Sequence, residues 1–514
     1  MFLKGNVRKK NNKTYNYFYI VEGHRDENNK VKQKTVLKIG DVPREVAENI
    51  LMAFKGTAFF DINDIIIEKS YEYGASMFLN EVWKKSGIDK ILDKKYAYRI
   101  KMMALNRLID PRSKNDLVNW YTGSFFSKDK LENELNYENL YRAMDYLEEH
   151  QERIEEALND HESKKIFYDI TSSYFEGHHC EMSDYGYSRD HRKDEKQVVI
   201  SLAINEEKQP LAIKVLAGNT ADVSTVEERM LGFKNRFNLK DNCVIMDKGM
   251  VSKNNISKII ENGFEYILAL KLNNEIKEII TANKNIEYQK YDETLRIKEI
   301  VSGNKKHIIC HSTYKDFTDK ESRKSRITKA IGELSKLKEK KFKDHDELVE
   351  KVSKIIFRFK VSKYLKVEYF EKAFEYSPLS INEEFDGIFT LETSKLDIPA
   401  NTALEQYKNL KAIERCFREL KDFLELRPMY HYKNQRVKAH VFICFLSYYI
   451  YSIIDQQLCK AKINMSVETL LDNLKKITAS DLVCKNAKTT KISVIPSELI
   501  ETVTALGYKT IAKI

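Results

Sequence analysis

Over the first 45 residues the chain alternates. Tyr15, Tyr17 and Tyr19 fall on one side of an extended segment, a polar turn occupies residues 26–29, and residues 36–40 form a second extended run. A period of two marks a strand, so a small β unit is expected at 1–45. From 46 to 160 the apolar spacing lengthens to that of amphipathic helices. One helix is expected at 100–108, a break at Asp110-Pro111, and a second helix with Ser113 as its N-cap.

The rhythm changes at 161. Residues 165–175, 197–205 and 211–217 read as three consecutive strands, with a tight turn at 206–209 between the last two. A helix at 222–237, a strand at 243–246, a helix at 252–261 and a strand at 264–270 follow. Three strands able to pair antiparallel, then alternating helix and strand, give a mixed sheet with helices on its faces, the order of an RNase H-like core. Residues 275–384 depart from that order. They contain strand-like pieces and a basic stretch at 315–343, with 11 Lys or Arg against 5 Asp or Glu. Ile327, Ile331, Leu334 and Leu337 recur there at helical spacing, so a helical arm with one packed face is expected, gripping DNA or simply solvated. The core resumes with a strand at 386–391 and a helix at 402–426, which Pro428 ends.

The expected fold class is therefore multidomain α/β. A β unit (1–45) and a helical DNA-binding or dimerisation region (46–160) precede an RNase H-like core (161–274 and 385–430), which an insertion (275–384) interrupts and a helical region (431–514) follows.

The 514 residues carry 87 Lys and Arg against 77 Asp and Glu, a net charge of +10, which leans toward an anionic partner such as DNA or reflects a lysine-rich solvated surface. Seven cysteines are scattered without a C-x-x-C pair and read as reduced thiols of a cytosolic protein. The first ten residues have no apolar signal core, and the apolar run 441–454 is shorter than the ~20 residues a bilayer requires. It reads as a buried helix, so no membrane association is expected and the protein is placed in the cytoplasm.

Three acids stand out. Asp169 in Phe-Tyr-Asp-Ile and Asp247 after Val-Ile-Met each end an apolar strand, where an unpartnered carboxylate is costly to bury. Glu414 lies on the last core helix. There Leu410, Ile413, Phe417, Leu420 and Leu424 form an apolar stripe, and Tyr407, Lys411, Glu414, Arg418, Lys421 and Glu425 form a polar one. In isolation the polar row would be a ladder of solvated ion pairs. Beside two strand aspartates it points to a divalent-metal site for phosphoryl transfer, with Asp169 the ligand best able to bridge two ions and Lys411, Arg418 and Lys421 set to hold phosphates. Arg189 and Arg192 in the loop before the second strand are expected to contact DNA phosphates. Arg107 and Lys114 lie in the helix pair 99–120, which is either a DNA-reading helix-turn-helix or plain packing.

Five stretches now carry a resemblance: Phe-Tyr-Asp169-Ile-Thr-Ser-Ser-Tyr-Phe-Glu-Gly, Gly-Tyr-Ser-Arg189-Asp-His-Arg192-Lys-Asp, Leu-Ala-Gly218-Asn219-Thr-Ala-Asp222, Met-Asp247-Lys-Gly-Met, and Tyr407 through Tyr430-His431. In this order the chain resembles the DDE-type transposases of bacterial insertion sequences, in the group with an insertion between the second aspartate and the glutamate. That group's last helix carries a tyrosine, an arginine, the glutamate and a lysine at fixed spacing. Tyr407, Glu414 and Lys421 fit, while Leu410 stands where the arginine would be, leaving its phosphate contact to another cation. The resemblance implies Asp169, Asp247 and Glu414 as catalytic and metal-binding residues, Mg²⁺ as cofactor with Mn²⁺ able to substitute, cleavage of transposon ends, and strand transfer into target DNA by a homodimer in a synaptic complex at the bacterial nucleoid. Some such enzymes stack a flipped base on an aromatic side chain. Both tryptophans, Trp83 and Trp120, precede Asp169, so a Tyr or Phe would serve here. An RNase H-like nuclease without strand transfer, and a catalytically idle DNA-binding derivative, are the alternatives.

Overall fold

A computed structural model describes residues 1–11, 13–56, 62–159, 165–176, 179–186, 192, 194–220, 243–246, 253–381, 383–484 and 487–508. They divide into two compact units, residues 1–71 with 478–494, and residues 72–477 with the segment from 495.

In the first unit β1 (Phe2–Lys10), β2 (Lys13–Arg25) and β3 (Val31–Asp41) form an antiparallel meander, followed by α1 (Arg44–Phe54). The Asp26 side chain closes the β2–β3 turn by accepting from the Asn28 and Lys30 amides, both at 3.0 Å. β1 escaped the sequence reading because almost none of its residues is buried, so it has no alternation to read. A second sheet joins β4 (Ile66–Glu72) to Thr478–Cys484 and Ala487–Ile492. The expectation of a helical region over 431–514 is thereby corrected for these two strands, which pair with each other, Thr478–Cys484 also pairing with β4.

The second unit begins with helices α2 (Gly74–Ser86), α3 (Lys94–Ile109), α4 (Tyr137–Glu149) and α5 (Gln151–Leu158). Every α3 residue from Ile100 to Ile109 is buried. The segment after it is a turn in which the Ser113 hydroxyl accepts from the Asp116 amide at 3.2 Å, and the next helix, Leu117–Gly123, buries Leu117, Trp120 and Tyr121. Through these residues both helices pack into the interior, which favours the plain-packing alternative for the pair.

The large sheet contains β5 (Lys165–Tyr174), β6 (Gln197–Ile204), β7 (Pro210–Leu216), β8 (Cys243–Met246) and β9 (Glu265–Leu270), with α6 (Lys253–Glu261) between the last two. β5, β6 and β7 pair antiparallel, while β8 joins β5 in parallel and β9 joins β8 in parallel. Every residue of β6 is buried, the signature of a strand covered on both faces. The helix expected at 222–237 lies outside the described residues. Beyond β9 the sheet continues through the inserted segment: β10 (Gln289–Lys290), β11 (Leu295–Ser302) and β12 (Lys305–Ser312) meet β9 by way of β15 (Ile388–Thr393), giving nine strands in the order β10-β11-β12-β15-β9-β8-β5-β6-β7.

Between β12 and β15 project α7 (Thr313–Lys338), α8 (His345–Phe359) and the hairpin β13 (Leu365–Tyr369) and β14 (Phe374–Pro378). Ala330, Leu334 and Leu337 pack on Leu348, Val352 and Ile355 in a small core of their own. At the root Arg323 is 6% exposed and holds Asp386 with both terminal nitrogens, at 2.9 and 2.7 Å. This cation of the basic stretch anchors the arm, and a paired guanidinium in that geometry is well matched to a carboxylate.

The helix expected at 402–426 is instead α9 (Ala400–Lys408), a turn at 409–410, α10 (Lys411–Arg418) and a π turn at Glu419–Phe423. Between α9 and α10 the Ala412 and Ile413 amides reach back only three residues, to Asn409 and Leu410. In the π turn the Leu424 amide reaches five residues back, to Glu419. Overwinding followed by underwinding keeps the apolar stripe on one side. Leu410, Ile413, Phe417, Leu420 and Leu424 are all buried.

α11 (Asn434–Lys460) packs against α2, α3 and α4 and is followed by α12 (Val467–Lys475). α11 is long and apolar enough to cross a membrane, but 89% of its apolar window is buried inside the protein, as expected for a core helix. All seven cysteines are free.

Candidate active site

On β5, Ile166, Tyr168 and Ile170 join a core with Val199, Val244, Met246, Tyr266 and Leu268. Side chains alternate along a strand, so Asp169 and Thr171 project to the opposite face. Asp169 is half-buried there. α10 packs against β5 and β6. From the π turn that follows α10, the Lys421 ammonium donates to the Thr171 hydroxyl at 2.8 Å and to the Ser172 carbonyl at 2.6 Å. Lys421 therefore turns inward onto the strand that carries Asp169, two positions along the same face. Thr171 was recoverable from sequence, since strand periodicity puts it beside Asp169.

Glu414 lies seven residues before Lys421 on the same polar stripe. Its side chain is exposed and takes no hydrogen-bond or ion-pair partner among the described residues. Lys411 and Arg418 are exposed on that stripe, and Tyr407 is half-buried on α9. Arg418 approaches Glu419 at 4.0 Å rather than serving Glu414. Glu419 is held by Arg415 at 3.5 Å, and burial, reinforced by the Glu468 carboxyl, pushes its own carboxyl up to about 7. Tyr451 donates to Glu468 at 2.7 Å, so the Glu419 and Glu468 carboxyls together back the π turn from α12.

The remaining expected site residues divide. Asp247 and Arg189 lie outside the described residues. Arg192 stacks over Tyr174, 5.3 Å from its ring centre, and pairs with Asp194 and Glu195. Arg427, which sequence reading missed, covers the same ring at 4.4 Å, so two guanidinium groups flank the end of β5. No sequence signal marked it, because only the fold brings residue 427 to residue 174. Arg107 and Lys114 are corrected: they are 6% and 7% exposed and bonded within the protein, with no charged head presented to DNA.

Among the described residues no three His, Cys, Asp or Glu side chains converge on a cation site. The two acids described, a half-buried strand aspartate and a partner-free glutamate on a helix packed against that strand, supply the hard oxygen donors a divalent metal takes.

A mixed sheet in this strand order, with an acid on β5 and a cationic helix packed against that strand, is the arrangement of an RNase H-like domain. The chain belongs to the family of the transposase DDE domain, whose model matches residues 160–450. The IS1634 family transposase N-terminal domain also matches, at residues 3–57. DNA transposition is accordingly the function of the protein. Among solved structures, a piggyBac transposase synaptic complex with hairpin DNA is similar over 78% of this chain and 75% of its own, with 10% identity and a TM-score of 0.37. No curated protein matches the chain.

Proposed function

We propose that this transposase cleaves DNA at transposon ends and joins the freed ends to target DNA, using Asp169, Asp247 and Glu414 as its catalytic acids. The observation that carries the reading is the Lys421 bond to Thr171, which fastens the Glu414 segment to the Asp169 face of β5. The parallel ladder adds support for Asp247. It pairs Lys165 with Cys243, Ile166 with Val244 and Phe167 with Ile245, and the same sequence separation lies between Asp169 and Asp247.

The three carboxylates would hold Mg²⁺, or Mn²⁺ in its place, and the bound metal would supply activation of the attacking oxygen and neutralisation of the phosphate. The residues of this chain do the rest. Lys421 sits beside Asp169, where its ammonium can offset charge on the scissile phosphate. Lys411 and Arg418, exposed along the same stripe, and Tyr407 grip the flanking strand, with Arg192 on the phosphates near the end of β5 and Arg189 a further phosphate contact. Water displaces the transposon 3′ oxygen from phosphorus at the end, and the resulting 3′-hydroxyl displaces a 3′ oxygen of the target in the second step. Two copies of the chain act on paired ends in a synaptic complex.

The test is cleavage of a labelled end duplex by Asp169→Ala, Asp247→Ala and Glu414→Ala. Each is expected to lose cleavage and keep DNA binding, and substantial cleavage by any one removes that residue from the assignment. A labelled end with a preformed 3′-hydroxyl tests strand transfer. Hydrolysis without joined product would favour the nuclease alternative.

A further inference from the structure

Behind the π turn lies a basic cluster that the proposed chemistry does not use. Arg107 donates from Nη1 to the Glu425 carbonyl at 3.0 Å and from Nη2 to the Arg112 carbonyl at 3.0 Å. His440 on α11 lies with Nε2 at 3.0 Å from the Leu426 carbonyl and Nδ1 at 3.1 Å from the Lys114 ammonium nitrogen. A carbonyl only accepts, so Nε2 carries the ring proton and Nδ1 accepts from Lys114. The imidazole is thus neutral, with one ring nitrogen donating and the other accepting. Burial, reinforced by the neighbouring cations, holds Lys114 and His440 well below their ordinary values.

Polar heads this deeply buried are costly unless they satisfy something in return. Here they hold two consecutive carbonyls, and the backbone between those carbonyls and the catalytic helix is unusual. Glu425 has φ +45°, a left-handed conformation that a residue with a side chain adopts at a cost on the order of 1 kcal/mol. The Leu426 amide donates back to the Leu420 carbonyl at 3.0 Å, so the residue held by His440 is itself bonded to the residue preceding Lys421.

We propose that Arg107 and His440, with Lys114 behind His440, are positioning residues: by holding the carbonyls of Glu425 and Leu426 they fix the π turn, and through it the placement of Glu414 and Lys421 over β5. This rests on the assignment of Glu414 as a catalytic acid. A small displacement of a catalytic group costs up to about 10²-fold in rate, and loss of an outer support for a metal ligand costs about tenfold or more in metal affinity.

The experiment compares Arg107→Met, His440→Leu, His440→Gln and Lys114→Met with wild type and Glu414→Ala. Lys114→Met is nearly isosteric and removes the hydrogen bond to His440 Nδ1. End cleavage is measured against Mg²⁺ concentration, and end binding separately in Ca²⁺. The expected result is a half-saturating Mg²⁺ concentration raised about tenfold in Arg107→Met and His440→Leu, a smaller rise in Lys114→Met, and unchanged end binding. His440→Gln keeps a donor for the Leu426 carbonyl and is expected to recover most of the loss. Should Arg107→Met fail to fold, the His440 and Lys114 variants decide on the same readouts. An unchanged Mg²⁺ midpoint in folded His440→Leu and Lys114→Met, with Glu414→Ala inactive, overturns the positioning role and leaves the active-site assignment standing. Full activity of Glu414→Ala overturns that assignment instead.

Discussion

Replacing Lys421 by Met keeps the aliphatic stem and removes the ammonium that joins the π turn to β5. Two hydrogen bonds are lost, to the Thr171 hydroxyl at 2.8 Å and the Ser172 carbonyl at 2.6 Å. A hydrogen bond from a charged donor contributes ~1.5–3 kcal/mol, and the buried Ser172 carbonyl is left without that donor. Lys421 is half-buried, so solvent screening reduces the sum, and about 2 kcal/mol for the pair is the working figure. If this energy holds the catalytic helix in place during cleavage, the single-turnover rate falls by ~30-fold. Thr171→Val removes one acceptor and is expected to cost about 1 kcal/mol on its own. The double variant should be less impaired than the sum of the two, by a coupling energy of about 1 kcal/mol. The assay is single-turnover cleavage of an end duplex at saturating Mg²⁺, with binding measured in parallel. Strict additivity of the two substitutions would refute the contact as the tie between helix and strand. An unaltered rate in Lys421→Met would place Lys421 outside the active site.

Other expectations follow from particular contacts. Burial raises the Glu72 carboxyl to about 7, against a reference of 4.5. As pH rises through that window the unfolded chain loses its proton before the folded one, so folded stability declines by on the order of 3 kcal/mol. Glu72→Gln should therefore leave stability unchanged near pH 4 and raise it above pH 7 in denaturant unfolding; equal effects at both pH values would contradict this. A Cβ on Gly218 would overlap the Gln197 carbonyl oxygen and lie 2.5 Å from the Asp184 carbonyl oxygen, both of them backbone atoms. Gly218→Ala is expected to destabilise by about 3 kcal/mol or more and lower the soluble yield, and a wild-type melting temperature would refute that. Glu419→Gln retains hydrogen bonding to Glu468 without an ionisable group, so a cleavage profile with an inflection near pH 7 should lose it. Persistence of the inflection would assign it to another group.

Much of the core was legible because its signals are local. The strands from 165 to 270 are short apolar runs bounded by turns, and their observed limits lie within a residue or two of the expected ones. The apolar stripe from Leu410 to Leu424 and the packed face of the arm followed from helical spacing alone. In the site, Asp169 and Lys421 were singled out by position in their elements, and the fold brought them to one face of β5.

Side chains whose environment comes from distant segments were not legible. Arg107, Lys114 and Arg323 look in sequence like surface cations, yet each is buried against partners contributed by other elements, among them Glu425, His440 and Asp386. The exposed strand β1 and the sheet that unites β4 with residues 478–492 left no alternation or proximity in sequence to read. The break and π turn within the Glu414 helix were equally hidden, since no proline or glycine marks them.

The sequence by itself determined the periodicities, hence the core strands, the two-striped helix and the identity of the acids. Only the tertiary structure decided which cations lie beside β5 and which are buried against other segments. Hydrophobic spacing is set by each element's own geometry, whereas the burial and partners of a charged group depend on chain brought from hundreds of residues away.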